Sequence, residues 1–327
     1  MGKKIGILGA GGWGTTLSIL LNKKGYEVIL WEVFPEYAKI LREKRENIYY
    51  LPGIKIPSSI NITSDIEKVM ESPFLIIAIP SRYFRDIIKK MKNFYKGQPL
   101  LIGTKGLEIE TGKRMSEIVE EEIGKVPLAI ISGPTIAREI AKGFPAAAVV
   151  ASKDKKVGEN FQKILSCDNL RLYTNKDVAG VELGGALKNV IAIGAGIIDG
   201  LKLGTNTKAS YITRGLKEMV RIGKILGGKE KTFWGLSGMG DLITTCFSPY
   251  SRNRSFRQAI VEVGKEEYLR KTKMAIEGIY TTKSIYKISK KMKIETPIID
   301  AIYRIVFLNK EPKDEIKRLM RRRLKEE

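Results

Sequence analysis

The chain is 327 residues long, 43% hydrophobic and 29% charged, a composition that is typical of a soluble globular protein and excludes a disordered or fibrous chain. Its apolar runs are too short to cross a bilayer and its N-terminus lacks the apolar core of a signal peptide, so we expect a cytoplasmic protein. The formal net charge of +22 is spread along the chain without a zinc-finger, KH or aromatic RNA-binding motif, which favours a solvated surface and anionic metabolites over nucleic acid.

The first half of the chain alternates short apolar strands with helical patterns. Strands are predicted at KKIGILG, EVILW, INIT, FLIIAI, LLIG, LAIIS and AAAVVA. Helices are predicted over residues 15–24, 35–44, 65–72, 82–91 and 115–123. Because the strands are continuously apolar rather than alternating, we expect helices to cover both of their faces. This alternation predicts a doubly wound, mostly parallel α/β sheet.

From about residue 177 the pattern changes to long helices with glycine breaks. They are predicted over residues 178–199, 208–226, 255–264, 281–291 and 297–307. No repeat or low-complexity linker marks the change, so the predicted boundary depends on this change of pattern alone. We predict an α/β domain over residues 1–180 and an all-α domain over residues 181–327.

A glycine-rich turn follows the first predicted strand. Gly9, Gly11 and Gly14 in GAGGWG form a G-x-G-x-x-G motif at the head of a helix, and Glu32 ends the second strand eighteen residues later. The first glycine permits the tight turn, the second lets a pyrophosphate approach the backbone, and the third lets helix and strand pack closely. This context predicts a dinucleotide site in a Rossmann-type domain, with the alternative of a glycine-rich turn that binds nothing.

One lysine lies inside an apolar run. Lys188 sits in GGALKNVIAIGAGI, and helical spacing places Gly184, Gly185, Ala192 and Ala195 on its face, which predicts a groove for a flat cofactor or substrate. The chain has no histidine, and its two cysteines form no CxxC pair, so we expect no metal and a lysine as the acid–base group. The alternative is a lysine that reaches water from a packed helix.

Further polar groups follow the strands or lie in later loops. Lys105 follows the strand LLIG, and SGPT, residues 132–135, follows LAIIS, so both segments are expected to line one crevice. GMGDLITTC supplies Asp241, and SRNR supplies Arg252, whose guanidinium suits a phosphate dianion. Each of these residues, taken separately, is more typical of a solvated loop.

Together these segments resemble bacterial NAD(P)-dependent glycerol-3-phosphate dehydrogenase. The matching motifs, in order from about residue 4 to 310, are GAGGWGT, GTKGLE, ISGPT, GGALKNVIAIGAG, ITRGLKEM, GMGDLITTC, SRNR and IEG. The resemblance implies reversible hydride transfer between NAD(P)H and dihydroxyacetone phosphate, giving sn-glycerol 3-phosphate for glycerophospholipid synthesis. It also implies a homodimer, and a helical domain like that of 6-phosphogluconate dehydrogenase after the Rossmann-type domain.

The resemblance assigns roles to residues of this chain. The catalytic residues that it implies are Lys188, Lys105 and Asp241. The substrate-binding residues are Lys105, Gly133, Thr135, Lys188, Asp241, Thr245, Ser251, Arg252 and Asn253. The cofactor-binding residues are Gly9, Gly11, Gly12, Trp13, Gly14, Glu32, Lys105, Ala137, Arg252, Ala275 and Glu277. The expected cofactor is NAD(H), with NADP(H) as the alternative, because a carboxylate at Glu32 suits ribose hydroxyls and repels a 2′-phosphate.

Two other functions compete with this one. The β-hydroxyacid dehydrogenases share the two-domain plan but carry an asparagine four residues after their lysine, whereas Lys188 and Asn189 are adjacent here. A non-catalytic nucleotide-binding regulator would need a nucleic-acid-binding tail, for which the only candidate is the C-terminal EIKRLMRRRLKEE. Its apolar face is formed by Ile316, Leu319, Met320 and Leu324. We expect this helix to dock on its own protein, with at most weak attachment to an anionic membrane.

Overall fold

The computed structural model describes residues 4–251, 277–324 and 326, and it confirms the predicted succession of an α/β domain and a helical domain. The strands of this part of the chain are β1 Lys4–Leu8, β2 Glu27–Trp31, β3 Glu46–Asn47, β4 Leu51–Lys55, β5 Asn61–Thr63, β6 Phe74–Ile77, β7 Leu100–Ile102, β8 Leu128–Ser132, β9 Ala146–Ala151 and β10 Leu170–Asn175.

Eight of these strands form one sheet in the order β10-β9-β8-β7-β6-β1-β2-β5, and β3 pairs with β4 in a separate hairpin. The large sheet is parallel except for the β8–β9 pair, which is antiparallel. The chain runs outward from β1 to β2 on one side and returns to β6 on the other. A crevice therefore opens at the carboxyl ends of β1 and β6, where ligands of doubly wound sheets bind.

Helices cover both faces of this sheet. They are α1 Gly12–Lys23, α2 Pro35–Lys44, α3 Ile66–Met70, α4 Phe84–Lys92, α5 Met115–Glu122, α6 Ala137–Ala141 and α7 Lys155–Leu165. Local sequence explains where several begin, since Pro35 opens α2 and the side chain of Asp154 accepts hydrogen bonds at the N-terminus of α7. The strands bury apolar side chains on both faces in two core clusters, as their continuous apolar pattern predicts.

The helical domain is built around one long helix, α8. Its described helices are α8 Val178–Gly200, α9 Gly204–Ile225, α10 Glu230–Phe233, α11 Asp241–Phe247, α12 Glu277–Lys291, α13 Pro297–Phe307 and α14 Pro312–Met320. By length and composition α8 could cross a membrane, but its most apolar stretch is wholly buried inside the protein, as in the core helix of a bundle. The last strand ends at Asn175, and the predicted domain boundary at residue 180 stays a prediction.

The structure contains elements that the sequence patterns did not indicate. These are the β3–β4 hairpin, strand β10, helices α6 and α7, and the short helices α10 and α11. Strand β10 lies at the sheet edge and alternates buried and exposed residues, so it lacks the continuous apolar run of the central strands. The predicted helix over residues 255–264 lies outside the described residues.

The expected apolar face of the C-terminal helix is only partly buried. Ile316 and Leu319 are partly buried, as expected for a helix that docks on its own protein, and they line a small apolar cavity beneath α14. Met320 and Leu324 are instead 79% and 93% exposed, because α14 ends at Met320 and the chain beyond it does not continue the helical face. The docked part is held by Glu315, which accepts two hydrogen bonds from Arg304, of 2.8 and 2.7 Å.

Candidate active site

The glycine-rich turn between β1 and α1 has the geometry of a phosphate-binding loop. Gly9 has φ +108°, and a Cβ there would lie 2.6 Å from the carbonyl oxygen of Ala78. A Cβ on Gly14 would collide with the carbonyl oxygen of Gly9, so α1 packs closely on the loop. At Gly11 a Cβ would meet no heavy atom of the described residues within 4 Å. The middle glycine therefore faces open space, where a pyrophosphate can approach the backbone.

The N-terminus of α1 adds an electrostatic attraction for an anion. Gly11 is the N-cap and provides no side chain to accept hydrogen bonds from the first N–H groups of the twelve-residue helix. These N–H groups and the helix dipole favour a negative charge. The predicted cofactor residue Ala137 lies beside this end, where its carbonyl accepts a 3.1 Å hydrogen bond from Thr16. The residues of this loop therefore fit a dinucleotide.

Three charged side chains meet where the two domains face each other. Lys188 Nζ lies 2.5 Å from Asp241 Oδ1, and Lys105 Nζ lies 2.6 Å from Asp241 Oδ2, so one carboxylate bridges both ammonium groups. Lys188 also donates to Thr245 Oγ1 at 2.8 Å. Lys188 and Asp241 are only 6% and 1% exposed. The structure thus brings together the three residues predicted to be catalytic.

Burial and neighbouring charges together set the pKa of Lys188. Burial lowers the pKa of the Lys188 ammonium to about 8, because the charged form loses hydration; Asp241 opposes this shift and Lys105 adds to it. An amine with a pKa near neutrality can both donate and accept a proton in a reaction cycle. Lys188 therefore has the properties of a general acid–base group.

The small residues around Lys188 do not form the predicted groove. A Cβ on Gly184 would lie 2.5 Å from the carbonyl oxygen of Ser237, and a Cβ on Gly185 would lie 2.6 Å from Ser132 Oγ. Ala192 and Ala195 are fully buried as well. The glycines instead let the π-helical turn Leu236–Gly240 and the end of β8 approach α8 closely. This close approach is what places Asp241 against Lys188.

The other predicted substrate residues lie beside this cluster or outside the described residues. Lys105 Nζ donates to the carbonyl of Gly133 at 3.1 Å, and Thr135 Oγ1 donates to the same carbonyl at 3.1 Å. Gly133 has φ +152°, and a Cβ there would lie 2.8 Å from Ala148 Cα. Ser251 is buried at the end of a described segment. Three predicted site residues lie outside the described residues: Arg252, Asn253 and Ala275.

Glu32 lies buried directly after β2, near the glycine loop. Its Oε1 accepts a 3.1 Å hydrogen bond from the backbone N–H of Phe34, and burial raises the pKa of its carboxyl while this bond opposes the rise. Two cations of α2 have other partners, since Arg42 donates to the carbonyl of Ile62 at 3.2 Å and Lys39 Nζ lies 3.8 Å from Glu43 Oε1. This end of the crevice therefore presents a carboxylate.

Comparison with known proteins shows to which family the chain belongs. The family profile described as NAD-dependent glycerol-3-phosphate dehydrogenase N-terminus matches residues 4–158, and the corresponding C-terminus profile matches residues 177–317. The chain belongs to this family.

Two relatives show how far the similarity extends. The chain is 42% identical over 331 residues to a glycerol-3-phosphate dehydrogenase [NAD(P)+] of Clostridium tetani, covering 99% of this chain and 94% of that protein. A crystal structure of glycerol-3-phosphate dehydrogenase from Coxiella burnetii superposes with a TM-score of 0.94 at 38% identity, covering 98% of this chain and 99% of that one. The match spans both domains, so this member of the glycerol-3-phosphate dehydrogenase family has the family's fold.

The structure of this glycerol-3-phosphate dehydrogenase family member also reveals contacts that sequence reasoning missed. Ser81 donates its backbone N–H to Glu277 Oε1 at 3.0 Å and its hydroxyl to Glu277 Oε2. This pair joins the loop after β6 to the first residue of α12 and so ties the two domains together beside the crevice. Ser81 follows a strand end and could have been found by the rule used for Lys105. Trp13, a predicted cofactor residue, lies against Gly103 after β7.

Proposed function

We propose that this protein catalyses reversible, NAD(P)-dependent hydride transfer between dihydroxyacetone phosphate and sn-glycerol 3-phosphate. The observation that carries the proposal is the Lys188–Asp241–Lys105 cluster, in which one carboxylate bridges two ammonium groups where the loop after β7 meets α8 and α11. Ketone reduction needs a hydride at carbon and a proton at oxygen. A bound nicotinamide supplies the hydride, and the side chains of the cluster supply the proton.

Lys188 is assigned the proton transfer. Its ammonium donates a proton to the alkoxide oxygen that forms from the ketone, and in the reverse direction the neutral amine accepts that proton. A cation held at this point also stabilises the developing negative charge before the proton moves. Asp241 and Thr245 hold the Lys188 Nζ at 2.5 and 2.8 Å and so limit the directions in which the ammonium points.

Lys105 and the loop after β8 are assigned to substrate binding. Lys105 shares Asp241 with Lys188 and also bonds the carbonyl of Gly133, which places a second cation beside the reacting oxygen. Arg252 and Asn253 are proposed to bind the phosphate on the family resemblance. A guanidinium binds a phosphate dianion through two hydrogen bonds, and this geometry gives specificity for the phosphorylated ketone.

The direct test mixes the purified protein with NADH and follows absorbance at the NADH band. We expect NADH to be oxidised when dihydroxyacetone phosphate is added, and much more slowly when unphosphorylated dihydroxyacetone replaces it. Ketopantoate and a 3-oxo acid, substrates of other two-domain dehydrogenases, serve as further comparisons. No oxidation with dihydroxyacetone phosphate would contradict the proposal, and faster oxidation with a 3-oxo acid would favour a hydroxyacid dehydrogenase.

The pH dependence of ketone reduction tests the role of Lys188. Because reduction needs the ammonium form, the rate should fall as pH rises through the Lys188 pKa of about 8. Oxidation of glycerol 3-phosphate needs the neutral amine, so its rate should rise over the same range. The measurement is kcat/KM in both directions between about pH 6 and 10. Parallel pH profiles in the two directions would contradict the assignment.

A preference for NADH over NADPH is expected from Glu32. Its carboxylate can accept hydrogen bonds from the ribose hydroxyls of NADH, whereas it repels the 2′-phosphate of NADPH. The difference should be about ten- to 150-fold in kcat/KM, the value of a charge-assisted hydrogen bond of about 1.5–3 kcal/mol. Glu32→Arg should narrow or reverse the preference.

The matched control is Glu36→Arg, which makes the same charge change at an exposed position of α2, four residues further along the chain. It should leave most of the preference intact. The measurement is kcat/KM with NADH and with NADPH for the wild type and both variants. A wild-type preference for NADPH would contradict the predicted role of Glu32.

We also propose that the enzyme is a homodimer that works in the cytoplasm and supplies glycerophospholipid synthesis, as the family resemblance implies. Light scattering after size-exclusion chromatography measures the first of these properties. A mass near twice the 36.6 kDa of the chain is expected, and a monomer at micromolar concentration would contradict it.

A further inference from the structure

Asn47, a fully buried residue of the β3–β4 hairpin, uses its side-chain amide to connect four segments of the dinucleotide domain. Its Nδ2 donates to the carbonyl of Ala10 at 2.7 Å and to Thr15 Oγ1 at 2.8 Å. Its Oδ1 accepts from the hydroxyl of Tyr37 at 2.7 Å and from the backbone N–H of Tyr50 at 3.1 Å. Both amide hydrogens and both lone pairs of the oxygen are therefore used.

The partners fix the orientation of this amide. The carbonyl of Ala10 can only accept and the backbone N–H of Tyr50 can only donate, so the amide nitrogen must face the glycine-rich loop. A buried network in which every polar group is satisfied is rigid, because each broken bond would leave an unpaired polar group away from water. Asn47 thus holds the loop at a defined position relative to the hairpin and α2.

The bond to Ala10 determines where the next N–H points. In a planar trans peptide the C=O and N–H groups point in opposite directions. The carbonyl of Ala10 is directed inward to Asn47, so the N–H of Gly11 in the same peptide unit is directed outward. Outward is the side on which a Cβ of Gly11 would meet no described heavy atom within 4 Å. This is the open space that a pyrophosphate would enter.

The hairpin also shapes the neighbouring part of the loop. A Cβ on Gly12 would lie 2.8 Å from the carbonyl oxygen of Tyr50, the residue whose N–H bonds Asn47. On the other side, burial raises the pKa of the Tyr37 hydroxyl, and the charge of Glu32 adds to this rise. The hairpin that carries Asn47 therefore lies directly against the glycine-rich loop.

We propose that Asn47 is a positioning residue for the dinucleotide, which acts by directing the N–H of Gly11 at the pyrophosphate. The proposal depends on the dinucleotide binding in the proposed function. Asn47 does not take part in the reaction and lies apart from the lysine cluster, so it should govern cofactor affinity and not the chemical step.

The experiment compares Asn47→Ala with Gln98→Ala by titrating NADH into the full-length proteins in a calorimeter. Gln98 is a matched control because its side-chain amide also donates to a backbone carbonyl, that of Met70 at 2.6 Å. It precedes β7 and so lies at the amino ends of the parallel strands, whereas the glycine-rich loop lies at their carboxyl ends. Asn47→Ala should raise the Kd for NADH at least tenfold, and Gln98→Ala less than twofold. At saturating NADH, Asn47→Ala should keep the wild-type KM for dihydroxyacetone phosphate and kcat within about threefold.

A second variant keeps the test decisive if Asn47→Ala does not fold. Tyr37→Phe removes the hydrogen bond that Tyr37 donates to Asn47 and the 3.4 Å bond that its hydroxyl accepts from the N–H of Tyr49. The other three hydrogen bonds of the Asn47 side chain stay in place, so the Kd for NADH should rise about threefold. An unchanged Kd in Asn47→Ala, or in Tyr37→Phe when Asn47→Ala is unfolded, would overturn the proposal. Equal increases in Asn47→Ala and Gln98→Ala would overturn it too, since the effect would then follow stability. Failure of the wild type to bind either NADH or NADPH would instead overturn the proposed function itself.

Discussion

Replacing Lys188 with methionine should lower kcat for dihydroxyacetone phosphate reduction by at least about a hundredfold, while NADH binds with near wild-type affinity. General acid catalysis by a positioned side chain contributes about 10²–10⁴ in rate, and methionine has nearly the same shape without a proton to give. Because Lys188 lies on α8 and the glycine-rich loop lies between β1 and α1, its loss should leave the cofactor loop intact. The measurement pairs steady-state kinetics with NADH titration.

Lys208→Met is the matched control for this variant. Lys208 is also a buried lysine, 7% exposed, and it bonds both oxygens of Asp199 at 2.9 Å. It lies on α9 and contributes nothing to the Lys188–Asp241–Lys105 cluster. It should lose stability and keep its kcat. A fall of less than about tenfold in Lys188→Met, worth about 1.4 kcal/mol, would show that Lys188 is not the principal acid.

Replacing Asp241 with asparagine should have the second-largest effect. Asp241 is the carboxylate that bridges the buried Lys188 and the half-buried Lys105, so its neutral isostere leaves both ammonium groups without that charge. Asp241 raises the pKa of Lys188 against the lowering by burial, and its removal should therefore move that pKa below about 8. At pH 7.5 a smaller fraction of Lys188 then carries the proton, and ketone reduction should slow at least tenfold.

The pH profile separates this effect from general damage. In Asp241→Asn the alkaline fall of kcat/KM should move to lower pH, and lowering the pH should restore part of the lost activity. Asp199→Asn, which removes the carboxylate that bonds Lys208, should lose stability without moving the profile. An Asp241→Asn enzyme whose activity is low but whose profile has the wild-type midpoint would contradict the electrostatic role.

The dinucleotide loop and the central strands could be predicted from the sequence because their determinants are local. Gly9 needs a positive φ and Gly14 lies against the loop's own backbone, so both requirements arise within a few residues of chain. The strands β2, β8 and β9 have the bounds that their apolar runs predict, since continuous runs identify strands buried on both faces. Helix α13 begins and ends where its pattern predicts.

The hairpin that carries Asn47 could not be predicted in this way. Strand β3 has two residues, and RENIYYLPGIK has neither a helical nor an alternating apolar period. Asn47 is 37 residues from its partner Ala10 along the chain, and a single asparagine in such a segment is more typical of a turn. Its role becomes visible only when the fold brings the hairpin against the loop.

The lysine cluster shows the same division. The sequence alone indicates that Lys188 is unusual, because a lysine among glycine, alanine and isoleucine residues must either be paired or reach water. The sequence does not indicate whether Lys188 is paired or reaches water, since the partner Asp241 is 53 residues away and Lys105 belongs to the other domain. The predicted groove is wrong for this reason: small residues permit either an open cleft or close packing, and the local pattern is the same in both cases.

What the sequence by itself determined is therefore the fold class, the dinucleotide loop and the identity of the residues able to carry charge. The tertiary structure alone decided that Asp241 bridges Lys188 and Lys105, that glycines 184 and 185 bring α8 against the neighbouring backbone, and that burial lowers the pKa of Lys188. The physical reason is the distance along the chain over which each interaction acts. Backbone conformation and apolar periodicity act over a few residues, whereas desolvation and charge pairing depend on which distant segments are packed together.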